Sequence, residues 1–123
     1  QGTYIAPTKA TLGEYLGEWL DAIGTTVRES TADSYRRNVE NHVIPRIGSV
    51  RLSAVDAGTL NTLYAELLRS GRRDGTRGLS PRTVRYIHTI LHRALKDAVR
   101  WGRLVRNPAD AADPPAAGTG RTP

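Results

Sequence analysis

The segment from Ser80 to Trp101 constrains the fold of this chain more than any other segment. Its apolar residues recur every three or four positions, as they do along one face of an α-helix. This apolar face consists of Val84, Ile87, Leu91, Ala94, Leu95 and Ala98. Ser80 followed by Pro81 is typical of a capped helix start. The spacing therefore predicts a helix roughly 30 Å long with one buried face.

Three further segments have the same periodicity, and the sequence predicts helices over residues 11–24, 30–42 and 56–71. Thr11 opens the first of these with a capping box. Ser30 and Thr31 are candidate N-caps of the second helix, which Pro45 and Gly48 are expected to terminate. No segment alternates as a strand would, so an all-α fold of four helices is predicted. We expect four aromatic residues on the apolar faces to anchor its core: Tyr15, Trp19, Tyr35 and Tyr64.

The length of the chain favours one small domain, which the helical segments place at residues 11–109. Residues 1–10 show no periodicity and are predicted to be flexible. Residues 110–123 are rich in proline, alanine and glycine, which indicates an interdomain linker or a disordered tail. Residues 71–78 place arginines among glycines, which is typical of an exposed mobile loop. The chain begins at Gln1 and contains no methionine, so we expect it to be a piece of a longer protein.

The charge of the chain is polarised along its length. There are 18 lysines and arginines against 12 acidic residues, and the net charge is +6. Residues 1–27 carry a net charge of −2, whereas residues 69–106 carry +9. This polarity favours an anionic partner such as a nucleic acid. The chain has no cysteine and no apolar run approaching the roughly 18 residues of a membrane span. We therefore predict a cytoplasmic protein with no disulfide and no membrane partner.

The face of the fourth predicted helix that lies opposite its apolar face is polar and basic. It consists of Arg82, Tyr86, Thr89, Arg93, Lys96 and Arg100. It contains four positive charges and no carboxylate, whereas solvated helix faces usually mix both signs. We interpret it as a surface that lies along a DNA duplex, with four residues nearest the bases or phosphates: Ser80, Arg82, Thr83 and Tyr86. Near the start of the second helix, polar and basic residues allow DNA contact or ordinary capping and surface charge equally: Arg28, Ser30, Thr31, Arg36 and Arg37.

Catalytic and metal-binding patterns are almost absent. His88 and His92 have the spacing of a two-histidine metal pair, but no cysteine or nearby carboxylate completes a site. We expect both histidines to lie at the boundary between core and surface. The chain also lacks a phosphate-cradling loop and a plausible Ser-His-Asp order. No catalytic residue, metal site or cofactor is therefore predicted.

Taken together, a series of spaced motifs resembles one known family. The motifs are Thr11-Leu12-x-Glu14-Tyr15-x-x-x-Trp19-Leu20, Ser30-Thr31-x-x-x-Tyr35, His42-Val43-Ile44-Pro45-x-Ile47-Gly48, Leu52-x-x-Val55, Leu79-Ser80-x-Arg82-Thr83-Val84, Ala94-Leu95-x-x-Ala98-Val99-x-x-Gly102 and Asn107-Pro108-Ala109. Their order and spacing resemble the SAM-like N-terminal core-binding domain of phage integrases, in the tyrosine recombinase family. The resemblance covers residues 11–109. It implies a four-helix SAM-like orthogonal bundle with flexible tails.

The resemblance also implies a function. In this family the second and fourth helices approach the major groove of a core attachment site, while a separate catalytic domain closes on the other face. Carried over to this chain, the DNA-binding residues are Ser30, Thr31, Arg36, Arg37, Ser80, Arg82, Thr83, Tyr86, Arg93 and Lys96. The family's tyrosine nucleophile, with its activating Arg, Lys and His residues, would lie beyond Pro123. The chain is thus expected to be non-catalytic, and its partners are expected to be double-stranded DNA and other recombinase subunits in the full-length assembly.

Two other classes of protein are compatible with a basic helical domain. A protein–protein adaptor could meet an acidic partner, although the sequence lacks a large exposed apolar stripe. A helix-turn-helix regulator would need a tight turn before its recognition helix, and residues 71–78 are too long for that. Binding to labelled duplex at two salt concentrations distinguishes DNA recognition from the adaptor.

Overall fold

The protein is described here by a computed structural model, which covers residues 9–70 and 78–115. Its α-helices are α1 (Leu12–Ile23), α2 (Glu29–Asn38), α3 (Ile44–Ile47), α4 (Ala57–Ser70) and α5 (Pro81–Arg100). A π-helical turn at Val39–Val43 joins α2 to α3, and short 3-10 turns lie at Leu52–Ala54 and Pro108–Ala111. Within the covered ranges the only strand-like pairing is an isolated bridge between Thr11 and Arg51. The predicted all-α fold is confirmed, with α2, the π-turn and α3 forming the second of four helical segments.

Helix α1 begins as the sequence predicts. The Thr11 hydroxyl accepts a hydrogen bond from the Glu14 amide at 3.1 Å, and the Glu14 carboxylate accepts one from the Thr11 amide at 2.9 Å. Two of the amides that a helix start leaves without partners are thereby satisfied. The helix ends at Gly24.

The second helical segment differs from its prediction at both ends. Its N-cap is Arg28, which makes no side-chain capping bond, and Ser30 and Thr31 lie inside the first turn. Pro45 does not terminate the segment, which continues to Ile47 and is capped by Gly48. The π-turn explains this continuation, because its wider hydrogen bonding places proline at the start of a new helical turn, where no amide proton is needed.

The core lies where the four helical segments meet, and all four predicted aromatic anchors are buried in it. The Trp19 ring stacks on Tyr35 with centroids 5.9 Å apart, which joins α1 to α2. The Tyr15 hydroxyl donates a 2.6 Å hydrogen bond to the carbonyl of Ala94, which joins α1 to α5. Every residue of the predicted apolar face of α5 is fully buried, and Ile90 joins them. All six side chains of the opposite face of α5 are exposed.

The chain after α5 packs back onto the bundle. Ala109 is buried, and the amide of Asp113 donates a hydrogen bond to the Asn61 side chain on α4 at 2.6 Å. The Arg85 guanidinium donates to the carbonyl of Pro115 at 3.0 Å. Residues 110–115 thus contact the helices. The rest of the predicted linker, residues 71–77 of the loop predicted at 71–78, and residues 1–8 of the predicted flexible segment lie outside the described residues. The linker assignment of residues 110–123 stays a prediction.

Among the helices of the described ranges, none is both long enough and apolar enough to cross a membrane.

Candidate nucleic-acid interface

The N-terminus of α5 is organised by two of the residues predicted to contact DNA. The Ser80 hydroxyl accepts a hydrogen bond from the Thr83 amide at 3.1 Å, and the two hydroxyls lie 3.0 Å apart. Ser80 is exposed and Thr83 half-buried, and Pro81 occupies the first helical position. The predicted cap is confirmed. Arg82 projects from this first turn as an exposed cation.

Tyr86 joins the polar face of α5 to α2. Its hydroxyl lies 3.0 Å from the Ser34 hydroxyl, and its ring centroid lies 6.2 Å from that of Tyr35. Tyr86 nevertheless keeps 37% of its surface exposed. Ser34 was not predicted, although its spacing of four from Ser30 and three from Arg37 places all three on one side of α2. The fold therefore brings the polar sides of α2 and α5 together at Tyr86.

The cations of α5 differ in their partners. Arg82, Arg93 and Lys96 are exposed, and no carboxylate within residues 9–70 and 78–115 forms an ion pair with any of them. Arg100 instead pairs with Asp97, with Nε 3.1 Å from Oδ1. The polar face of α5 thus presents three exposed cations without a neutralising acid in the described part of the chain.

On α2 the predicted residues form a less uniform set. The Arg36 guanidinium lies 2.9 Å from the Asp21 carboxylate and 3.4 Å from that of Glu40. The hydrogen bond that Arg36 donates to Asp21 is the main reason that the pKa of Arg36 lies above its usual value. Arg37 is exposed, with no ion pair to any carboxylate that the structure describes. Both terminal nitrogens of Arg36 are therefore already engaged, and Arg37 is the more available cation.

Asp97 is a residue whose role the sequence analysis missed. It is buried on the inner side of α5, where its Oδ2 accepts a 2.8 Å hydrogen bond from the Trp19 indole and its Oδ1 accepts one from Arg100. Asp97 borders a groove of about 450 Å³ between the end of α1 and the end of α5, whose other lining residues are Ala22, Ile23, Thr26, Arg93, Lys96, Arg100 and Trp101. Asp97 lies three residues after Ala94, so a helical projection places it beside the apolar face of α5. An acidic residue at such a position was the signal that could have identified it.

The two histidines of α5 have separate partners. His88 Nδ1 lies 2.8 Å from the Tyr64 hydroxyl, and burial lowers the pKa of His88. His92 Nε2 lies 2.8 Å from the Asp110 carboxylate. Both are half-buried, which places them at the predicted boundary between core and surface. No group of three or more potential metal ligands occurs among the residues that the structure describes.

Comparison with known proteins shows to which protein family this helical bundle is similar. Residues 11–68 match the family model described as the phage integrase N-terminal SAM-like domain. The chain is 29% identical over 108 residues to an integrase of Saccharopolyspora erythraea, a match that covers 85% of this chain and 23% of that protein. It is 28% identical over 121 residues to an integrase of Streptomyces ambofaciens, covering 98% of this chain and 29% of that protein. The chain thus spans about a quarter of the length of these relatives.

A solved structure supports the same class. The solution NMR structure of a phage integrase SAM-like domain from Moorella thermoacetica superimposes with a TM-score of 0.72 at 38% sequence identity, and the match covers 97% of both chains. The chain belongs to the family of SAM-like N-terminal domains of phage integrases.

Proposed function

We propose that this chain binds duplex DNA at the core attachment site of a site-specific tyrosine recombinase, and that the polar face of α5 lies against the duplex. The observation that carries the proposal is the row of exposed cations on α5, Arg82, Arg93 and Lys96, which have no acidic partner among the described residues. Cations left unneutralised along one helix face can neutralise phosphates of a duplex.

The contact between α2 and α5 extends this surface. Because Tyr86 reaches Ser34, the exposed residues of α2, including Ser30 and Arg37, share a side of the molecule with the first two turns of α5. Half or more of protein–DNA hydrogen bonds go to phosphate and sugar, so hydroxyls and arginines on two adjoining helices suit such a surface. Within it we assign Arg82, Tyr86 and Arg93 the main contacts and Arg37 a supporting one. Arg36 contributes less, because Asp21 and Glu40 hold its guanidinium.

We further propose that DNA cleavage belongs to another part of a longer parent protein, which acts with other recombinase subunits in the cytoplasm. Burial raises the pKa of Tyr15 and of Tyr64, which disfavours the phenolate that a nucleophile needs. The Tyr15 hydroxyl is also engaged by the carbonyl of Ala94. We expect no covalent adduct on a denaturing gel after incubation with a nicked suicide substrate. An adduct that disappears when one tyrosine is replaced by phenylalanine contradicts the non-catalytic assignment.

Fluorescence anisotropy with a labelled duplex tests DNA binding directly. Each neutralised phosphate contributes about −0.9 to the slope of log affinity against log salt, so about four to seven contacts predict a slope near −4 to −6. A slope near zero removes DNA as the principal partner.

Three variants locate the surface. Replacing Arg82 and Arg93 together with Ala is expected to weaken binding at least roughly tenfold, since a charged contact is typically worth about 1 to 3 kcal/mol. Replacing Arg51, an exposed arginine beside the start of α1, with Ala is expected to change binding much less. Gln at both Glu14 and Glu18 is expected to leave binding unchanged or slightly tighter, with some loss of helix capping. Equal binding by the folded double arginine variant and the parent contradicts the assignment of this face.

A further inference from the structure

Among the described residues, Asp97 is the one charged side chain that is buried. Burying a carboxylate is costly unless hydrogen bonds compensate for the lost water. Asp97 has two such bonds: the Trp19 indole donates to Oδ2, and the Arg100 Nε donates to Oδ1. The carboxylate is therefore fixed on its core side by Trp19, and it presents its second oxygen to a side chain at the surface.

The hydrogen bond that Arg100 donates to Asp97 uses only its Nε–H group. An arginine has five N–H donors, and the four on its two terminal nitrogens form the fork that recognises a phosphate. In Arg100 these four have no hydrogen-bond partner among the described residues, and 63% of the side chain is exposed. Arg36 shows the opposite arrangement, because both of its terminal nitrogens are taken by carboxylates. Asp97 thus fixes the Nε end of the Arg100 guanidinium, and the two terminal nitrogens remain available to bind a phosphate.

Two more cations border the same groove. Arg93, Lys96 and Arg100 lie three and four residues apart, so their side chains emerge from one side of α5. Among the described residues, Asp97 is the only acidic one that lines the groove between α1 and α5. Its charge is net positive, and an oxyanion is the complementary ligand.

We propose that Asp97 is a positioning residue that orients the Arg100 guanidinium, and that Arg100 with Lys96 and Arg93 forms a binding subsite for a DNA phosphodiester at the C-terminal end of α5. This proposal rests on the proposed function and adds Arg100 and Asp97 to its residues. It extends the DNA contact along the whole length of α5. Because an ordered guanidinium loses less side-chain entropy on binding, orientation by Asp97 strengthens the contact.

The Asp97→Asn variant gives a test in which two explanations predict opposite signs. The asparagine oxygen can still accept from Trp19, while its amide group replaces the oxygen that holds Arg100. If Asp97 only repels DNA, removing its charge tightens binding. If Asp97 orients Arg100, the substitution weakens binding about three- to tenfold, in spite of the lost negative charge. The probe is a fluorescein-labelled duplex of random sequence, because phosphate contacts do not depend on base sequence.

Combining Asp97→Asn with Arg100→Ala gives a double-mutant cycle, which measures whether the two residues act together. Arg100→Ala alone is expected to make the salt slope shallower by about 0.9. Asp97→Asn added to Arg100→Ala is expected to cause no further loss, since residues that act through one another are not additive. Arg100→Lys keeps the charge without the fork and leaves the core untouched, so it is expected to bind more weakly than the parent. Far-UV circular dichroism at the assay temperature shows that each variant is folded.

The outcomes separate this proposal from the proposed function. A parent chain without salt-dependent binding to the duplex overturns both. A parent that binds, with Asp97→Asn tightening binding by the same factor in both backgrounds, overturns the positioning role alone. If Asp97→Asn does not fold, Arg100→Lys decides: binding equal to the parent overturns the oriented fork, and weaker binding supports it.

Discussion

Replacing Trp19 with Phe measures what the buried contact between α1 and α5 contributes to stability. Trp19 is fully buried, stacks on Tyr35 and donates its indole N–H to Asp97. Phenylalanine keeps an aromatic ring at this position but has no donor. The carboxylate of Asp97 then stays in the core with Arg100 as its remaining partner.

The expected loss follows from two contributions. A hydrogen bond to a charged group contributes about 1.5 to 3 kcal/mol. The smaller ring also leaves unfilled space, which we expect to add about 1 kcal/mol. The free energy of unfolding should therefore fall by about 2.5 to 4 kcal/mol, a large part of the roughly 5 to 15 kcal/mol of a small domain. For a domain of this size the midpoint of thermal unfolding should fall by roughly 10 °C or more.

Urea denaturation followed by far-UV circular dichroism measures this loss, and Trp101→Phe is the matched control. Trp101 is 39% exposed and meets Tyr15 edge to face with centroids 6.0 Å apart, a contact that phenylalanine can keep. We expect this control to lose less than about 1 kcal/mol. Equal losses in the two variants, or a loss below about 1 kcal/mol in Trp19→Phe, refute the reasoning that the bond to Asp97 stabilises the core.

Four further predictions concern stability. Tyr15→Phe removes the hydrogen bond to Ala94 but keeps the ring, so we expect a loss of about 1 kcal/mol in urea denaturation, and no loss contradicts it. Burial lowers the pKa of His88, so the unfolded state binds a proton first as the pH falls; urea midpoints should decrease below about pH 6.5, and less so in His88→Gln. Gly17→Ala is expected to stabilise α1 by about 0.5 to 1 kcal/mol because a Cβ there meets no atom within 4 Å. Gly48→Ala is expected to destabilise the protein, because its Cβ would lie 2.6 Å from the carbonyl oxygen of Ile44. A melting temperature of Gly17→Ala below that of the parent contradicts the first of these two expectations, and one of Gly48→Ala at or above that of the parent contradicts the second.

Local patterns predicted most of the helical structure correctly, and in the second helix they misjudged only the two ends. Periodicity identified the buried face of α5, and the capping residues Thr11 and Ser80 marked two helix starts. Serine and threonine are frequent N-caps, yet Ser30 and Thr31 lie inside α2. Pro45 usually signals a helix end, but a π-turn before it allows the helix to continue. Tyr35 and Val39 of this segment are buried in the core, and tertiary packing of this kind contributes more to helix stability than local preference does.

The sequence could predict the part of the candidate site that depends on a single helix. A polar face with no carboxylate is a property of one helix, so the sequence could indicate Arg82, Arg93 and Lys96. It could separate Arg36 from Arg37 only in part: Glu40 lies four residues after Arg36, but the shorter ion pair of Arg36 is with Asp21 on a different helix.

The sequence by itself determined the helical class, the apolar face of each helix and the sign of the exposed charge on α5, since these depend on residues three and four positions apart. Only the tertiary structure decided which polar groups on different helices contact one another. Trp19 reaches Asp97 across 78 residues, and Ser34 reaches Tyr86 across 52. Such pairs depend on how the helices pack against one another, and no spacing within a single helix specifies that packing.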